Sequence, residues 1–243
     1  MRVLVISDIH ANYTALEAVL ADAGEADEIW CLGDLVGYGP DPNAAIEQVR
    51  ELPQLTCLLG NHDVAVIGKM PFETFNGDAR RSLIWTERVL TADNMDFLRS
   101  ISSSVKVRGE ATLAHGSPRD PVWEYILNTL SARLNFDHFD TPWCFVGHTH
   151  IQSIFRLNQG TDRITLETPK QDVPLALTPR LILNPGSVGQ PRDRDPRAGY
   201  AFYDPEARTW TPRRVAYNVS EVQARIRESG LPEKHALRLA EGW

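Results

Sequence analysis

Short polar motifs stand at the ends of four apolar runs in this chain, and this arrangement constrains the fold more than any other feature. The runs cover 3–6, 28–32, 56–59 and 143–146. Short apolar runs are typical of buried strands, and open α/β sheets bind ligands at the carboxyl ends of parallel strands. We therefore expect the motifs to meet at one edge of a sheet. They are Asp8-Ile9-His10, Gly33-Asp34, Gly60-Asn61-His62-Asp63 and Gly147-His148-Thr149-His150.

Each motif alone is weak evidence for a metal site. A single Asp-x-His or His-x-His pair is more often a cap, a turn or a polar cluster. Together the motifs offer carboxylate, amide and imidazole groups without a cysteine, which suits Zn, Mn, Fe or Ni. Alternate residues of an extended segment share a direction, so we expect Asp8 to point with His10, and His148 with His150. The combination predicts a metal site.

In order and spacing, these motifs resemble those of calcineurin-like metallophosphoesterases. The similarity is greatest to small bacterial and archaeal phosphodiesterase-type members, including diadenosine tetraphosphatase-like ones. It extends from Met1 to about Asp204 and includes the loop Asn184-Pro185-Gly186-Ser187. The resemblance implies an α/β fold, with a two-sheet β-sandwich flanked by helices in four αββα layers. We expect a single domain over 1–243, with a small helical cap near 70–100 and C-terminal helices near 218–240.

The resemblance also implies roles for the motif residues. They would bind two divalent transition-metal ions, with manganese as the first expectation and zinc, iron or nickel as alternatives. Asp34 would bridge the ions with its two carboxylate oxygens. His62 would donate a proton to the leaving group, with Asp63 orienting its imidazole and raising its pKa. Alternatively, His62 only makes hydrogen bonds around the ligands. The first ion's ligands would be Asp8, His10 and His150, and the second ion's Asn61, His115 and His148.

Loops beside the motifs supply candidates for substrate binding. Tyr38 belongs to a Tyr-Gly-Pro loop, Arg119 follows His115, and Asn184 and Arg192 delimit a third loop. The planar guanidinium of Arg119 or Arg192 would suit phosphate, although a surface role is equally compatible with the sequence.

The expected reaction is hydrolysis of phosphoesters, and of phosphodiesters first, by a hydroxide that bridges the two ions. Hydrolysis of dinucleoside polyphosphates, or of phosphoproteins and other phosphomonoesters, would use the same metal chemistry. A catalytically silent binding scaffold is a further alternative, because fold does not fix function. A silent scaffold often lacks a ligand or the proton donor, whereas every expected position is filled here. The substrate is expected to be a small phosphoester or nucleotide.

Composition narrows the class of protein. The 243 residues are 42% hydrophobic, which is enough for a sizeable core. A formal net charge of -7 argues against general nucleic-acid binding. All three cysteines lie in apolar runs, which indicates buried thiols and a reducing compartment. The first strand begins close to Met1 and leads directly into the motif at Asp8, and no apolar run has transmembrane length. We therefore expect a cytoplasmic protein without membrane association. Homo-oligomerisation stays open.

Local patterns predict the remaining elements. The first sixty residues read as β-α-β-α-β, and a second, mixed or antiparallel sheet is expected from the strands after residue 99. That second sheet is expected to include strands at 200–203 and 209–217. The predicted helices cover 12–23, 41–52, 78–90, 93–98, 218–230 and 232–240.

Overall fold

Two six-stranded sheets face each other in the computed structural model, which describes residues 1–158 and 160–243. The strands are β1 (Val3–Ile6), β2 (Glu28–Cys31), β3 (Leu55–Cys57), β4 (Lys106–Arg108), β5 (Ala111–Leu113), β6 (Trp143–Phe145), β7 (Ser153–Asn158), β8 (Arg163–Glu167), β9 (Leu175–Ala176), β10 (Leu181–Asn184), β11 (Ala198–Asp204) and β12 (Thr209–Val215). The helices are α1 (Tyr13–Ala23), α2 (Pro42–Arg50), α3 (Asn61–Val66), α4 (Gly77–Val89), α5 (Ala92–Ser100), α6 (Thr129–Phe136), α7 (Val219–Glu228) and α8 (Glu233–Glu241), with a 3-10 turn at Phe72–Thr74.

Both sheets are mixed. The first has the order β3-β2-β1-β11-β12-β9, and β1, β2 and β3 run parallel. The second has the order β4-β5-β6-β10-β7-β8, and β5, β6 and β10 run parallel. The predicted α/β sandwich of two sheets flanked by helices is confirmed.

The core between the sheets follows from the alternation of side chains along each strand. In β1, Val3 and Val5 belong to the cluster shared with the second sheet, whereas Leu4 and Ile6 belong to the cluster on the helix side. Burying such a side chain stabilises the fold by about 1.5–3 kcal/mol. A polar contact also crosses the inner layer, where Trp143 Nε1 donates to Tyr203 Oη at 3.0 Å.

Two expectations about the sheets were wrong. The strand β6, which precedes the fourth motif, lies in the second sheet, so the motifs do not follow strands of a single sheet. The strands β11 and β12 lie in the first sheet, where β11 pairs antiparallel with β1. The local apolar pattern of a strand shows which face is buried but not which strand lies beside it.

The helices largely match their predicted positions. Helix α1 begins after Asn12, whose side chain accepts a hydrogen bond from Ala15 N at 3.1 Å. Helices α3 and α6 were not predicted. The structure has helices near 70–100 and 218–240, while the single domain and the role of a cap stay predictions. None of the helices in the described part of the chain is long and apolar enough to cross a membrane.

Candidate metal centre

The motifs converge where the carboxyl ends of strands from both sheets meet. Backbone hydrogen bonds connect them, from Asp8 N to Gly33 O at 2.9 Å and from Gly147 N to His115 O at 2.8 Å. The expected ligands are all buried, at no more than 3% exposure. They are Asp8, His10, Asp34, Asn61, His115, His148 and His150.

One group of side chains that could hold a metal ion contains Asp8, His10, Asp34 and His150. The Nε2 atoms of His10 and His150 lie 3.1 Å apart. Asp8 Oδ1 lies 3.4 Å from His150 Nε2, and Asp34 Oδ2 lies 3.5 Å from His10 Nε2. These four side chains are thus aimed at a common point.

A second group that could hold an ion contains Asp34, His115 and His148. His115 Nε2 lies 3.2 Å from His148 Nδ1 and 3.4 Å from Asp34 Oδ2. The side-chain oxygen of Asn61 also lies 3.2 Å from His115 Nε2. The structure therefore brings all seven residues together, and their role as ligands stays a prediction.

Hydrogen bonds to backbone carbonyls fix the tautomers of the first pair of histidines. His10 Nδ1 donates to Val36 O at 3.0 Å, and His150 Nδ1 donates to Gln190 O at 2.6 Å. Each neutral ring then presents a lone pair at Nε2. Because two facing lone pairs repel each other, a cation between them satisfies this arrangement.

In the second pair, His115 and His148, backbone carbonyls also fix the tautomers, but they bind different nitrogen atoms of the two rings. His115 Nδ1 donates to Leu32 O at 3.0 Å, whereas His148 Nε2 donates to Trp123 O at 3.0 Å. When His115 is neutral, as binding of a cation at this position would require, the lone pairs lie on His115 Nε2 and His148 Nδ1, the atoms that face each other. Such backbone partners are the usual support of metal-binding histidines. The donor set fits divalent transition metals.

Asp34 connects the two groups through one oxygen atom. Its Oδ2 faces both His10 and His115, while its Oδ1 accepts a hydrogen bond from His62 N at 2.9 Å. The expectation that Asp34 bridges two ions with both of its oxygens stays a prediction, and Oδ1 also accepts the hydrogen bond at the start of α3.

The backbone of the site is left-handed rather than extended. The φ angles are 54° at Asp8, 48° at His10, 55° at Asp34, 63° at His148 and 61° at His150. The extended-segment argument for the shared directions was thus wrong. Each such residue costs on the order of 1–3 kcal/mol, and this strain is concentrated at functional sites.

Burial and mutual charge shift the pKa values of the site. Burial raises the pKa of Asp8 to about 7 and lowers that of His10 to about 3. Burial opposes charge on Asp34 and His115 as well, but their attraction outweighs it. The pKa of Asp34 is lowered well below its ordinary value, and that of His115 is raised to about 9. Asp34 is therefore the stable anion of the centre.

Asp63 supports the backbone. Its Oδ1 accepts from Leu35 N at 2.9 Å and from Val36 N at 3.1 Å, and its Oδ2 accepts from Gly60 N at 3.0 Å. Within the described residues its carboxylate makes no hydrogen bond to His62. The expected orienting role of Asp63 needs correction, because three backbone donors occupy its oxygens.

His62 lies between aromatic neighbours at the edge of the site. Its ring centroid is 4.4 Å from that of Tyr38 and 5.0 Å from that of Phe75. Its Nδ1 is buried against Gly37 and has no hydrogen-bond partner among residues 1–158 and 160–243. Burial lowers its pKa well below the ordinary value, whereas a raised pKa was expected. The role of His62 as proton donor stays a prediction.

A cavity of about 140 Å³ opens beside the centre, and only some of the residues expected to bind substrate line it. Tyr38 and Arg192 line it, and Arg192 Nη2 lies 3.4 Å from the Tyr38 hydroxyl. Arg119 instead pairs with Glu124. Asn184 donates to Gly147 O at 2.7 Å and so supports the His148 loop. The expectations for Arg119 and Asn184 therefore need correction.

Sequence reasoning missed three aromatic residues that line this cavity. They are Phe75, Trp123 and Tyr125. Tyr125 stacks on His148 with centroids 3.7 Å apart. The available signal was the presence of large aromatic residues in segments otherwise rich in polar and turn-forming types.

Comparison with known proteins is consistent with this site. The model of the calcineurin-like phosphoesterase superfamily domain matches residues 1–208. The crystal structure of a metallophosphoesterase from Sphaerobacter thermophilus is 48% identical, covers 100% of this chain and 99% of its own, and has a TM-score of 0.92. An uncharacterized protein of Methanocaldococcus jannaschii is 35% identical, over 95% of this chain and 94% of its own. A symmetrical bis(5'-nucleosyl)-tetraphosphatase of Photorhabdus laumondii is 38% identical, over 28% of this chain and 26% of its own.

Proposed function

The chain belongs to the calcineurin-like phosphoesterase superfamily, a metal-dependent family of hydrolases, and we propose that it cleaves phosphodiesters with two divalent ions. The observation that carries the proposal is the pair of lone-pair-bearing histidine groups on either side of Asp34 Oδ2. Two groups of donors that share one anion suit two ions.

Each group supplies the mixed oxygen and nitrogen donors that transition metals accept. Manganese is the ion we propose first, with zinc, iron or nickel as alternatives. When bound, the ions would lower the pKa of water and neutralise charge on the phosphoryl oxygens. One ion would be held by Asp8, His10, Asp34 and His150, and the other by Asp34, Asn61, His115 and His148.

The chain's own residues would bind the ester and move the proton. Arg192 lines the cavity and would hold a phosphoryl oxygen through its guanidinium. His62 would donate a proton to the leaving oxygen from Nε2, because its Nδ1 is buried against Gly37. Without a bound ester, burial keeps the His62 ring neutral. The negative charge of the ester would therefore be needed to raise the pKa of His62.

We also propose a single domain with a cap beside the site. Thr74, Phe75 and Asn76 line the cavity immediately before α4, which supports a capping role for this helical region. Three buried free cysteines support a reducing, cytoplasmic location.

Hydrolysis of dinucleoside polyphosphates is the second candidate. The observation that favours it is the partial match to the symmetrical tetraphosphatase. Hydrolysis of phosphoproteins has no specific observation in its favour among the described residues.

The test is a substrate panel with protein reconstituted in manganese. The panel contains bis(p-nitrophenyl) phosphate, p-nitrophenyl phosphate and diadenosine tetraphosphate. We expect the diester to have the highest kcat/KM. A higher value for the tetraphosphate would favour the second candidate, and no turnover with any of them would reject the hydrolase. Asp34→Asn, purified in the same way, is the control for contaminating activity, and Asp96→Asn, at an exposed position on α5, should keep parental activity.

A further inference from the structure

The cavity beside the metal centre has two chemically different walls. One wall carries charge and metal-binding groups, including Asp34, His150 and Arg192. The other is aromatic and comes from two separate segments, with Phe75 before α4 and Trp123 between β5 and α6. A phosphate alone would use only the first wall.

Phe75 and Trp123 form a right-angled corner. Their ring centroids lie 5.1 Å apart, and their planes make an angle of 88°. Phe75 is also 5.0 Å from His62, and Trp123 is 6.2 Å from His148. A flat ring in this corner would stack on one face and direct its edge towards the other, which is the favoured packing of aromatic groups.

Other contacts already support the segments that carry these rings. Glu124 accepts hydrogen bonds from Ser117 Oγ at 2.6 Å and Asn135 Nδ2 at 2.9 Å. The segment before α4 is closed by the bond from Phe75 N to Phe72 O at 3.1 Å. Phe75 packs partly against the core, but both rings stay only half-buried. Because these other contacts hold the two segments in place, the need to support the loops does not explain why the rings of Phe75 and Trp123 meet at the cavity.

We propose that the corner of Phe75 and Trp123 binds a planar aromatic ring of the phosphoester substrate. This inference rests on the proposed function and names the class of substrate, namely esters in which a ring is joined to the reacting phosphoryl group directly or through a sugar. The cavity of about 140 Å³ encloses little beyond the phosphoryl group and one ring. Tyr125, which is 41% exposed, extends the aromatic surface outwards.

Two matched pairs of ligands test the proposal on the manganese-loaded protein. AMP and ribose 5-phosphate differ only in the base, and phenyl and cyclohexyl phosphate differ mainly in the flatness of the ring. Affinities are measured by calorimetry and by inhibition of bis(p-nitrophenyl) phosphate hydrolysis. We expect the flat member of at least one pair to bind about tenfold more tightly, from the usual strength of ring stacking. The pair that responds identifies a nucleotide or an aryl ester.

Phe75→Leu and Trp123→Leu keep an apolar side chain but remove the flat face. In these variants the preference should fall to about twofold or less, while inorganic phosphate binds as before. Phe97→Leu, on α5 beside Arg50, is the control and should keep the preference. Equal affinities within both pairs, or an unchanged preference in both variants, would overturn the inference.

The same measurements separate this inference from the proposed function. Hydrolysis and phosphate binding without any preference for a ring would overturn the inference alone. Absence of phosphate binding and of turnover in the manganese-loaded protein would overturn both.

Discussion

His10 and His150 face each other through Nε2 atoms 3.1 Å apart, although they are 140 residues apart in the chain. Each ring is held by a backbone carbonyl at its other nitrogen, so neither can turn away without losing that bond. Folding therefore brings two lone pairs together. A bound cation would remove their repulsion, and metal binding would then be coupled to stability.

Metal removal should lower both activity and stability. Chelation is expected to abolish diester hydrolysis and to lower Tm, because the facing histidine groups lose the cation that offsets their repulsion. Manganese should restore both, with two ions per chain by elemental analysis. Trace metal content together with an unchanged Tm after manganese addition would contradict the two-ion proposal.

Asp34→Asn should cost more activity than Asn61→Asp. The first change removes the anion whose Oδ2 faces both groups, and turnover should fall by about 100-fold or more. The second keeps an oxygen at its position but lowers the positive charge of the site. Metal content and kcat are measured for both. If Asp34→Asn retains two ions and near-parental turnover, Asp34 does not bridge them.

His62→Gln should separate proton donation from metal binding. An alkoxide leaves poorly without a proton, whereas a nitrophenolate leaves readily. We expect both ions to stay bound and alkyl diesters to be slowed about tenfold or more beyond aryl esters. Turnover of the two ester types is compared in one preparation. Equal losses with both ions present would remove His62 from the acid role.

Asp63→Asn should lower the free energy of unfolding rather than slow the departure of the leaving group. The amide keeps one acceptor oxygen, so Gly60 N or the pair Leu35 N and Val36 N loses its partner. An unpaired buried N–H costs about 1–3 kcal/mol of unfolding free energy. Urea unfolding measures this loss. Parental stability combined with a leaving-group effect like that of His62→Gln would restore the orienting role.

Glu124 should make the protein sensitive to acid. Burial opposes its charge, but hydrogen bonds from Arg119, Ser117 and Asn135 lower its pKa from 4.5 to about 2. Because the folded-state pKa is lowered, this stabilisation is present above pH 4.5 and is lost as the pH falls towards 2. Glu124→Gln should lose less stability across that range. The exposed Glu228→Gln is the control, and equal acid sensitivity of both variants would contradict the assignment.

Local sequence patterns predicted the positions of helices and strands well, but they predicted less well which strands lie side by side. The helical period around Leu16 and the Asp41-Pro42 start placed α1 and α2 to within a few residues. The position of β11 beside β1 was not predictable in this way, since antiparallel pairing with a strand about 200 residues earlier leaves no local trace.

The site was predictable in its residue types but not in its detail. The four motifs contain six of the residues that converge, and the family resemblance added His115, whereas the left-handed φ of Asp8 and His148 depends on tertiary contacts. The carboxylate of Asp63 could serve an imidazole or the backbone equally well in sequence. Only the folded positions of Leu35 N and Gly60 N decide between them.

The two sheets contribute different residues to the centre, which bears on the order of folding and metal binding. Asp8 and Asp34 follow strands of the first sheet, whereas His115 and His148 follow strands of the second. Each candidate group of ligands draws on both sheets, so we expect an ion to be captured only after the sheets have docked. An ion bound there would then slow unfolding rather than speed folding.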